Sequence, residues 1–404
     1  MRCILHIGTE KTGTTSIQAF LDLNRSHLRS CGILVPRSVG GPNNIGLAVA
    51  AYNPFHLDDY VKSIGLQTPQ RLLNHQSRLI DALRREIEQS KSDGVDTVCF
   101  SSEHLHSRLR AEEEVARLRE ILLILGFKEI LVIIYLREQA ALVRSLYATA
   151  VLYGGRTTAI PEPRGEEYWD NLCDHRRSLL RFRKVFGVES VRPRLFVPED
   201  FVGNSLIADF LSTASIDLPS DELLFSGREN ESISAYGLEV LRRLNDKQPM
   251  YLEGGALNPI REGIPRLFQL AFKGGGKFQL PLEAVNRYQV AYEASNEWVR
   301  QQYFLDRERL FPPASLNDRS AIHVGNYEIE EVTELLNLML LAKADEKHLL
   351  TSGQLINLLL RKFNRKTISA ARAVVSLLLR LAYHGKRWIV VNFLMRQSIS
   401  PEKD

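Results

Sequence analysis

Several features that would narrow the function at once are absent or scarce in this sequence of 404 residues. Its four cysteines form no Cys-x-x-Cys pair and no Cys/His spacing typical of zinc, so a reducing compartment fits best. No unbroken apolar run reaches about 18 residues, the length that a membrane-spanning helix needs. The apolar start, Arg2 to Ile7, is too short for a signal peptide and is typical of a buried strand. We therefore expect a cytoplasmic protein.

Charge is unevenly distributed along the chain. The net charge is +4, but residues 351–404 carry ten Lys or Arg against two acidic residues. The leucine-rich, basic stretch 355–394 is typical of an amphipathic helical pair packed on a domain, or of a segment in peripheral contact with an anionic membrane surface. It lacks interleaved aromatic residues and any known nucleic-acid motif, so we expect no nucleic-acid partner.

Short apolar runs alternate with helical patterns through roughly the first 215 residues. Strands are predicted near 2–7, 32–36, 95–100, 130–136 and 191–197, and a single helix over 14–30. Strands that are apolar on both faces predict an α/β fold with a doubly wound parallel sheet flanked by helices. We expect one domain over 1–320 and a helical, basic C-terminal extension over 321–404.

The strongest motif lies between the first strand and the first helix. It reads Gly8-Thr9-Glu10-Lys11-Thr12-Gly13-Thr14-Thr15-Ser16. Such a P-loop-like turn presents backbone N–H groups and a helix N-terminus to an anion. The two glycines have the separation of a nucleotide-kinase loop, but Thr14 stands in the place of the kinase lysine. Lys11 is instead inside the loop, where it is expected to face a shorter group at the loop mouth.

A second motif follows the predicted fourth strand. Arg137 ends that strand, and Ser145 comes eight residues later in the next helix. A guanidinium forms charge-assisted hydrogen bonds to phosphate, and a hydroxyl can donate one more.

Together these motifs resemble enzymes that use 3′-phosphoadenosine 5′-phosphosulfate (PAPS), chiefly bacterial sulfotransferases thought to act on glycans. The resemblance implies that Lys11–Ser16 bind the 5′-phosphosulfate and that Arg137 and Ser145 bind the 3′-phosphate. It further implies metal-independent transfer of a sulfuryl group to a hydroxyl or amine, with a saccharide or glycolipid precursor as acceptor. The cofactor-binding residues are then Lys11, Thr12, Gly13, Thr14, Thr15, Ser16, Arg137 and Ser145. Such relatives often have a His-His pair where this chain has Asn43-Asn44, a departure that concerns the acceptor pocket.

The catalytic base should project from the carboxyl end of a strand. Ser101-Ser102-Glu103-His104 follows the third strand and supplies two candidates. Small-molecule sulfotransferases favour the position of His104, and glycan enzymes favour that of Glu103. We predict Glu103 as the base, with His104 as the alternative. Glu103 could instead cap the next helix or pair with Arg108, and a metal is not predicted because His104 and His106 lack a third ligand.

Three further interpretations stay open. Lys277, in the basic glycine loop 273–278, fits a loop that closes over the 3′-phosphate, or a plain linker. A phosphotransferase with a degenerate P-loop is one rival function, although it needs a magnesium-binding acid at a strand end and Asp96 is predicted inside a strand. A non-catalytic nucleotide-binding scaffold is the other.

Overall fold

A computed structural model describes residues 1–219, 223–225, 233–253, 255–272, 276–312, 329–330, 332–334 and 336–337. The basic stretch 355–394 and nearly all of the predicted extension lie outside these residues. The described residues form two compact units. The first contains those within 1–143, 161–227 and 282–314, and the second contains those within 144–160, 228–281 and 315–337.

The first unit is built on a five-stranded parallel sheet, as the α/β pattern predicted. Its strands are β1 (Arg2–His6), β2 (Ile33–Leu34), β3 (Thr97–Ser101), β4 (Glu129–Leu136) and β5 (Val191–Leu195). Their order is β2-β3-β1-β4-β5, and every neighbouring pair runs parallel. The central strand β1 therefore ends between the ends of β3 and β4.

Helices make up most of the remaining described structure. In chain order they are α1 (Thr14–Leu23), α2 (Arg25–Ser30), α3 (Ile45–Ala51), α4 (Asp59–Ser63), α5 (Pro69–Lys91), α6 (His104–Ser107), α7 (Glu112–Ile124), α8 (Gln139–Leu152), α9 (Glu167–Cys173), α10 (His175–Phe186), α11 (Leu206–Thr213), α12 (Ala235–Lys247), α13 (Ile264–Ala271) and α14 (Leu282–Tyr303). Of these, α12, α13 and most of α8 belong to the second unit. No described helix is both long enough and apolar enough to cross a membrane.

Helices cover both faces of the sheet, and successive residues of β1 therefore belong to different apolar cores. Cys3 and Leu5 pack in the core that α5, α7 and α10 share, whereas Ile4 packs with residues of α1 and α11. The chain thus leaves β1 towards one face and β3 towards the other. Neighbouring parallel strands with connections on opposite faces leave a crevice at their carboxyl ends.

A polar side chain divides the predicted helix 14–30 in two, and another polar side chain separates α9 from α10. The segment 14–30 breaks at Asn24, whose amide bonds the backbone of Leu224 in both directions at 2.8 Å. Asp174 similarly ends α9 and caps α10 by accepting the N–H of Arg177 at 3.0 Å. The two helix breaks depend on partners that the local pattern does not reveal.

Asp96 was predicted inside a strand. It instead precedes β3 and lies at the amino end of the sheet.

The second unit has its own apolar core. Leu241 and Leu244 of α12 pack with Ile264 and Phe268 of α13. Asn245 donates hydrogen bonds to the carbonyls of Val151 and Gly155, both at 2.8 Å, and so joins α12 to the end of α8.

Asp209 is a buried carboxylate that should matter for the stability of the first unit. It accepts hydrogen bonds from Tyr135 Oη at 2.7 Å and from the N–H of Val202 at 3.2 Å, and it pairs with Arg194. Replacing it leaves buried polar groups without partners, which costs about 1–3 kcal/mol. Asp209→Ala should therefore lower the free energy of unfolding by about that amount in urea titrations. Asp93→Ala removes an exposed pair with Arg29 and should change little. An equal loss of unfolding free energy in the two variants would contradict the stabilising role of Asp209.

Candidate functional site

The loop between β1 and α1 is shaped by glycines at both ends. Gly8 has a φ of 95° and Gly13 a φ of 75°, in the region that side chains rarely adopt. A Cβ on Gly13 would lie 2.3 Å from Leu206, and a Cβ on Gly8 would lie 3.0 Å from the Cα of Glu103. Glycine is required at both positions, and the second contact brings the loop directly against the segment that follows β3.

Two threonines anchor the loop from inside. The backbone N–H and the hydroxyl of Thr9 both donate to the carbonyl of Tyr135, at 3.0 and 3.1 Å. The hydroxyl of Thr12 donates to the carbonyl of Thr9 at 2.6 Å. These bonds hold the loop against the end of β4.

The backbone N–H groups of Thr12, Gly13, Thr14 and Thr15 have no hydrogen-bond acceptor among the described residues. Gly13 is also the N-cap of α1 and provides no side-chain cap. The first N–H groups of a helix need an external acceptor, and an anion satisfies them well. The hydroxyl-bearing Thr15 and Ser16 are exposed in the same turn, while Thr14 is buried. The loop therefore has the properties of an anion site.

Two cationic side chains lie at this loop. Arg137, directly after β4, donates from Nη1 to the carbonyl of Lys11 at 2.6 Å, and its guanidinium lies 5.4 Å from the centre of the Phe196 ring. His175 Nε2 donates to the carbonyl of Arg137 at 2.9 Å and fixes its backbone. Burial lowers the pKa of the Lys11 ammonium; the nearby Glu10 carboxylate opposes that shift, and the charge of Arg137 adds to it. Positive charge thus gathers beside the free N–H groups.

Glu103 follows β3 on the other side of the crevice. Gln18 Nε2 donates to its Oε2 at 2.7 Å, and Asn43 Nδ2 donates to its Oε1 at 3.4 Å. Asn43 is itself oriented by the hydroxyl of Ser102, which donates to its Oδ1 at 2.9 Å. Glu103 makes no capping bond to α6, and Arg108 pairs with Asp58 instead. Amide donors, rather than the helix end or an arginine, therefore orient this carboxylate.

A hydrogen bond fixes the tautomer of the neighbouring imidazole, His104. Arg108 Nε donates to its Nδ1 at 3.1 Å. Because a guanidinium only donates, Nδ1 must be the unprotonated nitrogen, and the neutral ring carries its proton on Nε2. Burial lowers the pKa of His104; the charge of Glu103 opposes this, and the charge of Arg108 adds to it. His104 is therefore a neutral donor at neutral pH.

Several of the predicted site residues meet at one edge of the sheet. These are the loop Lys11–Ser16 after β1, Glu103 and His104 after β3, and Arg137 after β4. Ser145 and Lys277 belong to the second unit, where Ser145 is half-buried on α8 and Lys277 is exposed.

Sequence reasoning missed two of the polar side chains at this edge. Gln18 is a buried polar residue one helical turn after Thr14, on the face of α1 that also buries Ile17 and Leu21. A polar residue at such a position in the sequence could have indicated a site residue. Glu10 lies inside the loop, and burial raises the pKa of its carboxyl, with the charge of Glu103 adding to the shift. Nothing in the linear pattern distinguished Glu10 from a solvated loop residue.

No family model, curated protein or solved structure matches the chain. Across the described ranges, no three His, Cys, Asp or Glu side chains are grouped so that they could hold a metal ion.

The protonation state of His104 can be tested by nitrogen-detected NMR titration. The wild-type ring should titrate below its usual value of about 6.5 and carry its proton on Nε2 above that pH. Arg108→Ala removes both a cation and the donor to Nδ1, so the pKa of His104 should rise. Arg110→Ala is the matched control, because its guanidinium lies over the Tyr168 ring. A pKa that is unchanged in Arg108→Ala would contradict the assigned contact.

Proposed function

We propose that this protein is a sulfotransferase that moves a sulfuryl group from PAPS to a hydroxyl group of an acceptor, such as a saccharide or a glycolipid precursor. The observation that carries the proposal is the meeting of an anion-binding loop, two cations and an oriented carboxylate in one crevice. An anionic donor and a proton-losing acceptor require these two kinds of group side by side.

The loop supplies the donor side of the proposed site, as a P-loop-like element. The N–H groups of Thr12–Thr15 would bind the 5′-phosphosulfate, with the exposed hydroxyls of Thr15 and Ser16 adding donors. Arg137, beside the loop, would bind the 3′-phosphate of the nucleotide. Roles for Ser145 and Lys277 at that phosphate remain predictions from the resemblance.

Glu103 supplies the acceptor side. In the proposed step the acceptor hydroxyl gives its proton to Glu103 while its oxygen forms a bond to sulfur. The bond between sulfur and the bridging oxygen of the 5′-phosphate breaks, and the electron pair remains on the phosphate. Lys11, in the loop, would stabilise that growing negative charge with its ammonium group.

The contacts of His104 favour Glu103 as the base. The Nδ1 of His104 is occupied by the Arg108 donor, and its Nε2 already carries the proton. The ring could accept the acceptor's proton only by giving up its bond to Arg108. Glu103 retains lone pairs beyond the two amide bonds that orient it.

Nucleotide preference tests the proposal against the kinase rival. Adenosine 3′,5′-bisphosphate should raise the melting temperature, because a ligand bound only by the folded state stabilises that state. ATP with magnesium should raise it much less, since Thr14 replaces the kinase lysine and Asp96 lies at the opposite edge of the sheet. A larger shift with ATP would favour the phosphotransferase instead.

The same assay tests Arg137. Arg137→Ala should lose most of the shift that the bisphosphate produces, measured against its own ligand-free melting temperature. Arg119→Ala, an exposed arginine on α7, is the control and should keep the full shift. Lys11→Ala should retain more nucleotide binding than Arg137→Ala but lose turnover, because Lys11 faces charge that grows only during transfer.

The assignment of the base is tested by two variants and labelled PAPS, with bacterial cell-envelope extracts as acceptors. Glu103→Gln keeps the size of the side chain but cannot take a proton, so turnover should fall by roughly 10²–10⁴ with nucleotide affinity unchanged. His104→Ala should be milder. An active Glu103→Gln together with an inactive His104→Ala would exchange their roles and leave the nucleotide site as assigned.

A further inference from the structure

The proposed reaction gives His104 no role, although its hydrogen bond with Arg108 fixes the tautomer of its ring. Its ring is half-buried beside Glu103, and its Nδ1 is used by Arg108. Its Nε2, which bears the proton, forms no hydrogen bond with any residue in the described part of the chain. This donor lies on the opposite side of the ring from the Arg108 contact, and the charge of the neighbouring Glu103 carboxylate acts on the ring.

The anchor behind His104 is a short chain of polar contacts. Arg108 is paired with Asp58 and lies 5.9 Å from the centre of the Tyr60 ring. Asp58 accepts the N–H of Val61 at 3.0 Å, which caps α4, and the hydroxyl of Tyr52 at 2.9 Å. Because Arg108 is always protonated, the ring cannot move its proton to Nδ1 without breaking this chain.

We propose that His104 is an acceptor-recognition residue whose Nε2–H binds an acceptor oxygen next to the hydroxyl that Glu103 deprotonates, with Arg108 and Asp58 as positioning residues. The inference rests on the sulfotransferase proposal and narrows its acceptor class. The site takes polyhydroxylated, saccharide-like acceptors rather than amines or isolated alcohols.

The chemical argument follows from what each group can do. Glu103 only accepts hydrogen bonds, so it binds the hydroxyl that reacts, whereas His104 only donates at Nε2, so it needs an acceptor atom nearby. Adjacent hydroxyls on a sugar ring provide a donor and an acceptor at neighbouring positions. An alkylamine is protonated at neutral pH and offers His104 no lone pair, while an isolated alcohol leaves its donor unpaired.

The test compares a methyl glycoside with its monodeoxy analogues, each lacking one hydroxyl, as acceptors of labelled sulfate from PAPS. With the wild-type enzyme, removing the hydroxyl next to the reacting one should lower kcat/KM by roughly 2- to 10-fold, the value of one hydrogen bond. The His104→Ala enzyme should sulfate the methyl glycoside and the analogue that lacks the neighbouring hydroxyl equally well. Arg110→Ala should keep the wild-type preference.

A conservative variant separates recognition from proton transfer. His104→Gln retains an N–H near the position of Nε2 but cannot serve as a base, so it should restore much of the preference that His104→Ala loses. If both His104→Gln and His104→Ala are inactive on every acceptor, His104 is a base and the inference is wrong. A cyclohexylamine that is sulfated faster than the glycoside would also overturn it.

The positioning residues have a readout that needs no turnover. In Asp58→Ala, NMR should show the proton of His104 distributed over both ring nitrogens, whereas a wild-type ring protonated on Nδ1 would overturn the inference. Failure to bind adenosine 3′,5′-bisphosphate would instead reject the sulfotransferase proposal. An enzyme that binds this nucleotide but transfers sulfate to no glycoside would reject only the acceptor class.

Discussion

The candidate site depends on one constraint: the chain leaves β1 and β3, which are neighbouring parallel strands, towards opposite faces of the sheet. Residues of α1 pack in one apolar core and residues of α7 in the other, so the loops after the two strands diverge and leave a crevice. At the start of the loop the two segments still lie close together, since a Cβ on Gly8 would be 3.0 Å from the Cα of Glu103. The close approach of the loop to the Glu103 segment therefore requires glycine at position 8.

Charge is divided across this crevice. Lys11 and Arg137 lie with the unpaired N–H groups of the loop, while Glu103 is oriented by the neutral amides of Gln18 and Asn43. In the proposed function, the loop side would bind the anionic donor and the Glu103 side would bind the hydroxyl that loses its proton. It also accounts for Asn43, which departs from the His-His pair of the family that the motifs resemble: in this chain its amide orients the proposed base.

Much of the architecture could be predicted from local patterns. The parallel sheet followed from strands that are apolar on both faces, each of which is a property of a short local run. The breaks at Asn24 and Asp174 could not be predicted, because each depends on a tertiary or capping contact of one polar side chain. The short helices α3 and α4 were missed for a similar reason, since so few residues carry little periodic signal.

The sequence by itself determined the elements, the glycine loop with its displaced lysine and the strand-end position of Arg137, because these are properties of neighbouring residues. Tertiary structure decided which polar groups meet. Glu103 and Gln18 are 85 residues apart, and Arg108 and Asp58 are 50 apart, so no local pattern couples them. The choice between Glu103 and His104 was open in the sequence for the same reason. The direction of a hydrogen bond to a histidine nitrogen, and hence the protonation state of the ring, depends on where a distant carboxylate holds an arginine.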